Sequence, residues 1–256
     1  MKLIIDTTSQ SLTREEDGRA QVMPLYSPEA FETLSREWVR VGWSLFYYDT
    51  FSWGGLGVLQ LPDDLIRLQE VVTSLRPDVI IETGVYLGGS LLFHATVCEG
   101  LDHGRVIGVD VDIKPETRAG VSSHRLSHRI ALIEGDSASP ATIAAVRNLI
   151  GDAKSVLVIL DSDHSRRHVA RELEAYAPLV TPGSYLIVCD GIMHDLADVP
   201  GGDGTWLEDN PDAAARDFLA AHSEFVRCQP GWRDTNRGPL RKNVSYWPNG
   251  WLWKKA

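Results

Sequence analysis

The chain has 256 residues, 43% of them hydrophobic, and a formal net charge of −10. That length suits one large α/β domain with a sizeable core, and the acidic balance argues against tight binding to a nucleic-acid backbone or docking on an anionic membrane. Cys98, Cys189 and Cys228 lack paired-ligand spacing and fit a reducing cytoplasm. The opening MKLIIDTTSQ is too short in apolar residues for a secretory leader, and no apolar run approaches the ~20 residues of a membrane span.

Residues 1–60 read as an N-terminal helical extension and 61–256 as the main domain. In the extension, Ser27 is an N-cap and Pro28 a first helical residue. Phe31, Leu34, Trp38, Val41 and Leu45 follow at steps of three and four, on one helix face. FSWGGLG interrupts, and a second helix starts near Pro62 with Asp63 and Asp64 in its first turn, where acids favour the helix dipole. Its apolar stripe is Leu65, Leu68, Val72 and Leu75.

The main domain then alternates. DVIIET (78–83), RVIGVDVD (105–112), RIALIEGD (129–136), SVLVILD (155–161) and SYLIVCD (184–190) are apolar, strand-like runs, and EFVRC is a sixth. Helices follow as GGSLLFHATVCEG, ATIAAVRNLI, a segment burying Val169, Leu173, Tyr176 and Val180, and DAAARDFLAAH behind Asn210 and Pro211. Apolar strands alternating with helices mean a mostly parallel sheet covered on both faces, a doubly wound Rossmann-like α/β fold.

In such sheets ligands bind beyond the carboxyl ends of the strands. Glu82, Asp110, Asp136, Asp161 with Asp163, and Asp190 all fall at that edge. Any one of them serves equally well as a helix cap. Together, side-by-side carboxylates repel unless something cationic sits among them.

The first strand-to-helix turn, ETGVYLGGS, carries Gly84, Gly88 and Gly89, which permit a tight turn and close backbone approach. It is not the dinucleotide fingerprint G-x-G-x-x-G. Glu82 would also repel a diphosphate, so a nicotinamide-dependent oxidoreductase is the weaker enzyme reading. S-adenosylmethionine suits the rim: it offers a sulfonium, an ammonium and a ribose diol without phosphate. Asp110 is placed for the ribose hydroxyls, and Asp136 in EGDS, beside Ser137, for the adenine amino group.

Three stretches carry a family resemblance: FSWGGLGVLQLPDDLIRLQEVVTSLRPDVIIETGVYLGGSLLFHATV, LDSDHSRRHVARELEAYAPLVTPGSYLIVCDGIMHDL, and SYWPNGWL. Over roughly residues 45 to 253 the chain resembles the cephalosporin hydroxylase family, which includes rhamnosyl O-methyltransferases. The resemblance implies a class I methyltransferase fold, S-adenosylmethionine as cofactor, a divalent cation, usually Mg2+, and a hydroxylated acceptor from a sugar, antibiotic or other natural-product pathway. It carries cofactor positions onto Glu82, Gly84, Ser90, Asp110 and Asp136, with Gly88, Ser137 and Asp161 beside them, and metal positions onto Asp161 and Asp190. Some relatives have Glu-Asp where this chain has Cys189-Asp190, and catechol-type relatives have Asp-Asn where it has Asp190-Gly191. Either alignment loses a ligand, which Asp163, water or substrate would replace.

The expected chemistry is in-line methyl transfer to a hydroxyl, with positioning supplying much of the rate. Asp161 and Asp190 would hold the metal that acidifies the hydroxyl, and His164 would take the proton. A capping role for His164 is as good a reading. Its i, i+4 spacing to His168 offers a weak metal motif, and His194 is a second base candidate. Residues 191–210, with Trp206, form an expected lid over the acceptor. Trp232, Trp247, Trp251 and Trp253 are expected to pack a terminal hairpin or a subunit contact. The N-terminal helices would cover the acceptor pocket, build a homo-oligomer, or both. A cofactor-binding accessory protein without activity is the non-enzyme alternative, kept open by Cys189.

Overall fold

The structure, a computed structural model, describes residues 1–231, 238–240 and 242–256. Trp232 lies outside the described residues. The first 24 residues, expected to belong to a helical extension, instead form an antiparallel meander: β1 (Lys2–Asp6), β2 (Ser11–Glu16) and β3 (Arg19–Pro24). Asp17 and Gly18 both hold positive φ (50° and 74°) between β2 and β3. That is the Asp-Gly turn whose twist suits a two-residue hairpin. Leu12 and Met23 pair across it and bury with Ala30 in a small separate core.

Helix α1 (Pro28–Ser44) starts where expected, with Ser27 Oγ accepting from the Ala30 amide. Its apolar stripe does not bury: Trp38, Val41 and Leu45 are 47%, 57% and 72% exposed. The face turned to the rest of the molecule carries Val39, Arg36, Arg40 and Trp43 instead. A 3-10 turn (Tyr47–Thr50) and a small hairpin, β4 (Ser52–Trp53) and β5 (Leu56–Gly57), lead into α2 (Pro62–Leu75). Leu65, Leu68 and Val72 bury as their spacing requires.

The main domain runs β6 (Val79–Thr83), α3 (Gly89–Gly100), β7 (Arg105–Asp110), α4 (Pro115–Ser123), β8 (Ile130–Glu134), α5 (Pro140–Ile150), β9 (Val156–Leu160), α6 (Arg166–Tyr176) and β10 (Tyr185–Val188). A one-turn helix α7 (Met193–Leu196), then α8 (Pro211–Ala221), β11 (Phe225–Arg227) and β12 (Trp251–Lys254), complete it. Among the described residues the sheet has seven strands in the order β11-β12-β10-β9-β6-β7-β8. Strands β6 to β10 pair in parallel, and β12 is antiparallel to both its neighbours. The sixth expected strand, β11, is therefore an edge, and the chain's last strand inserts between it and β10. Helix α4 carries only a weak apolar pattern and was not anticipated.

Side chains alternate across the central strands. Ile80, Leu157, Ile159 and Ile187 enter one apolar layer, and Val79, Ile81, Val156, Val158 and Val188 the other. Burial on both faces is why these strands read as nearly continuous apolar runs. No helix among the described residues is long and apolar enough to cross a membrane.

Candidate active site

The chain runs from β6 outward to β7 and β8, then returns to β9 on the other side of β6. This reversal of strand order leaves a crevice at the carboxyl ends. Gly84, the residue after β6, holds φ +87°, and a Cβ there would lie 1.9 Å from the Asp161 carbonyl oxygen. Only glycine lets the ends of β6 and β9 approach this closely. A cavity of about 740 Å³ opens at this point.

One half of the cavity is made by strand ends. Asp110 Oδ2 accepts from the Val85 and Tyr86 amides at 2.8 and 3.0 Å, so the carboxylate clamps the glycine turn. Its Oδ1 accepts from Asp112 N at 3.1 Å, which leaves that oxygen capacity for a further donor. Gly84, Ser90, Asp110, Asp136, Ser137 and Asp161 all line the cavity. Glu82 and Gly88 do not. Glu82 is 2% exposed and accepts from Ser90 Oγ at 3.1 Å, with His94 Nε2 at 3.5 Å. Gly88, at φ +85°, turns the chain into α3. Both therefore shape the wall from behind, because an inward strand residue and a helix cap face the core rather than the crevice.

Asp136, expected to bond an adenine, is paired with Arg171 at 2.9 Å and accepts from Ala138 N at 3.0 Å. The Arg171 hydrogen bond, with help from the Ala138 amide, holds its carboxyl below the usual range. Ser137 Oγ meets His168 Nε2 at 3.1 Å, and that imidazole faces the fully buried Glu172 at 3.4 Å. The Glu172 hydrogen bond raises the His168 pKa. His164 and His168 thus face different partners. His164 precedes α6, outside the helix whose spacing would have aligned them.

The acids after β9 and β10 converge. Ligand atoms of Asp161, His164 and Asp190 all lie within 4.8 Å of one another. His164 Nε2 is 3.3 Å from Asp190 Oδ2, and Gln60 Nε2 donates to Asp161 Oδ2 at 2.6 Å. Asp190 holds φ 56°, an uncommon conformation for a residue with a side chain, of the kind that collects at functional sites. Burial, then the charges of Asp190 and Glu82, push the Asp161 carboxyl well above the carboxylate range. Burial also raises Asp190, against a lowering by His164. The cluster thus favours a positive partner. Asp163, offered as the missing ligand, uses Oδ1 to accept from Ser165 N at 2.8 Å. Cys189 is fully buried, and burial pushes its thiol up, so it remains protonated. His194 does not line the cavity: its Nδ1 contacts the Leu207 carbonyl at 3.1 Å within the 191–210 segment.

The other half of the cavity is aromatic. Trp43, Tyr48, Trp206 and Tyr246 line it together with Met193. Trp43 meets Trp206 edge-on at 5.4 Å, and Tyr48 meets Tyr246 at 6.2 Å. Of these, only Trp206 was named from the sequence. Trp43, Tyr48, Tyr246 and Gln60 come from segments that carry no strand or helix signal pointing to the rim. The tail is held by Asp64, whose Oδ1 accepts from Ser245 Oγ at 2.6 Å and Oδ2 from Tyr246 N at 2.8 Å. Burial pushes that carboxyl up to about 7. Asp64 is thus an anchor rather than a solvated helix-dipole acid. Segment 191–210 is not a loose connection: Arg36 bonds both Asp195 carboxylate oxygens at 3.1 and 3.0 Å, and Arg40 pairs with Asp198 at 2.9 Å.

The family model described as Rhamnosyl O-methyltransferase/CmcI matches residues 45–255. The chain belongs to this family. It is accordingly an O-methyltransferase by family, of class I methyltransferase fold. The rhamnosyl O-methyltransferase of Mycobacterium leprae is 32% identical over 175 residues, 66% of this chain and 72% of that protein. The enzyme of the same name from Mycobacterium tuberculosis H37Rv is 28% identical over 209 residues, 77% and 82% of the two chains. Solved structures of CmcI, one without ligand and one with Mg and SAM, have TM-scores of 0.53 at 22% and 21% identity. They cover 81% of this chain and 77% and 78% of theirs, and show the shared fold. The first 44 residues, with the β1–β3 meander and all of α1, lie outside the family match.

Proposed function

We propose that this family member binds S-adenosylmethionine at the strand-end half of the cavity and moves its methyl group to a hydroxyl of a sugar-bearing or other natural-product acceptor in the aromatic half. The observation that carries this reading is the position of Asp161, His164 and Asp190 at the junction of the two halves. A cofactor on one side and an acceptor on the other would bring methyl carbon and hydroxyl together there. The carbon–sulfur bond breaks, the oxygen–carbon bond forms, and the hydroxyl proton leaves, giving a methyl ether and S-adenosylhomocysteine.

Each residue has a physical task. Asp110 fixes the glycine turn and offers the remaining lone pair of Oδ1 to a ribose hydroxyl. Ser90 and Ser137 are polar hydroxyls on the same wall, Ser90 with its proton on Glu82 and its oxygen free to accept, and Gly84 keeps the crevice narrow. Trp43, Tyr48, Trp206 and Tyr246 give flat apolar faces for the C–H face of a sugar or for an aromatic ring, and exclude water from the junction. Asp161 and Asp190 are convergent carboxylates that fit a divalent cation, and such an ion would lower the pKa of a bound hydroxyl. Asp161 and His164 are the titratable groups here that could accept the proton. The exposed stripe of Trp38, Val41 and Leu45 on α1 is the surface on which we place the expected homo-oligomer contact.

The test is transfer of labelled methyl from S-adenosylmethionine to hydroxylated acceptors, together with calorimetric cofactor binding. Binding with transfer to a glycosylated or phenolic acceptor is expected. A protein that binds the cofactor and transfers to none would favour the accessory role, and one that does not bind it would end the proposal.

A further inference from the structure

The metal cluster of this chain has an unusual donor chemistry, and it decides which ion the site selects. The inference rests on the reading above that the cluster is a divalent-metal site at the centre of methyl transfer. Two of its three convergent side chains offer carboxylate oxygen, and the third offers imidazole nitrogen. The residue before Asp190, Cys189, adds no hard ligand: it is a fully buried thiol, and its sulfur is soft. The acid nearest in sequence, Asp163, is turned to the Ser165 amide.

Magnesium prefers oxygen ligands in near-octahedral geometry and seldom accepts imidazole. Zinc, iron, cobalt and, less strongly, manganese accept mixed nitrogen and oxygen sets. A second observation points to a ligand at the same place. Gln60 is 5% exposed, lines the cavity, and donates Nε2 to Asp161, while its Oε1 is buried without a hydrogen-bond partner among the described residues. That leaves an unpartnered oxygen acceptor on the residue that bonds Asp161.

We propose that Asp161, His164 and Asp190 form a mixed carboxylate–imidazole site selective for a first-row transition-metal ion over magnesium, with His164 as a ligand and not the catalytic base. Nε2 lies 3.3 Å from Asp190 Oδ2, and one nitrogen lone pair cannot both ligate the ion and take the substrate proton. Gln60 then acts as a positioning residue that holds the Asp161 carboxylate toward the ion.

The experiment uses the full-length protein stripped of metal and titrated with Mn2+, Zn2+ and Mg2+. Binding is followed by loss of the free-ion Mn2+ resonance and by chelator competition, and pulsed electron resonance reads nitrogen bound to Mn2+. Wild type should show directly coupled nitrogen and bind Zn2+ and Mn2+ at least ~10-fold more tightly than Mg2+. His164→Asp should keep Mn2+ binding, lose the nitrogen signal and lower the Zn2+ to Mg2+ preference at least ~10-fold. His164→Asn, also without the ring, should lose the same signal, and circular dichroism checks that both variants fold. Bound Mn2+ without coupled nitrogen would overturn the inference, as would an unchanged preference in His164→Asp or no binding of any of the three ions. Those results would leave the methyltransferase reading standing so long as cofactor binding and labelled methyl transfer persist in chelator. Loss of cofactor binding in wild type would instead sink that reading and leave the nitrogen signal to judge the metal site alone.

Discussion

The two halves of the cavity are built in opposite ways. The half we propose for the cofactor comes from turns directly after β6, β7, β8 and β9, so once these strands pair in parallel their following residues must share one edge. The half we propose for the acceptor comes from the end of α1, the 47–50 turn, residue 206 and residue 246, each brought in by separate long-range contacts. The difference teaches that one half is a consequence of topology and the other of docking. Perturbing the first should damage chemistry and fold together, whereas perturbing the second should change acceptor use and leave the fold intact.

Asp161→Ala breaks the comparison hardest, because Asp161 sits where the halves meet. Initial rates of labelled methyl transfer should fall at least ~100-fold, and an unchanged rate would remove the metal assignment. Gly84→Ala tests whether the cofactor half is inseparable from the fold. A Cβ 1.9 Å from a backbone oxygen at φ +87° should lower stability by about 4 kcal/mol, read from denaturant midpoints. A variant of native stability would show that the strand ends have room to part.

Asp64 tests the docking of the tail that supplies Tyr246. The native state keeps this carboxyl protonated up to about pH 7, while the unfolded chain ionises near the ordinary 3.8. Between these values the native state binds more protons, so stability falls as pH rises, and the dependence ends above the native pKa. Asp64→Asn should remove that slope and gain on wild type by about 2 kcal/mol between pH 5 and pH 7. Parallel pH profiles for the two proteins would contradict the raised pKa.

Trp206→Ala should raise the acceptor KM about 10-fold with cofactor affinity unchanged. A matching loss of cofactor binding would mean that the halves are not separate. Arg36→Ala, which cuts a partly exposed pair to Asp195, is the mildest. Stability should drop by under about 1 kcal/mol, and limited proteolysis should cut segment 191–210 sooner.

The legibility of the chain follows the same division. The five central strands and their terminal acids were readable because a doubly buried strand must be continuously apolar, and a parallel strand must end at the ligand edge. The meander at 1–24 was missed although Asp17-Gly18 announces its turn, because its strands bury only Leu12 and Met23 on a short face. The stripe on α1 was read correctly as a helix face, with its covering left open between the acceptor pocket and an oligomer contact. Periodicity reports that a face is apolar, not what covers it, and here the charged side, with Arg36 and Arg40, holds the molecule instead. Glu82 shows the limit within the well-read half: at the end of β6, its side chain points to Ser90 and His94 beneath the cavity.

By itself the sequence determined the layered α/β scaffold, the glycine turn, and the gathering of Asp110, Asp136, Asp161 and Asp190 at one edge, since each depends on local pattern and strand direction. Tertiary structure alone decided that His164 rather than Asp163 joins Asp161 and Asp190, that Gln60 and Tyr246 reach the site, and that β12 inserts beside β10. These depend on which surfaces meet across long stretches of chain, 101 residues for Gln60 with Asp161 and 182 for Tyr246 with Asp64, and no local preference encodes a meeting of that kind.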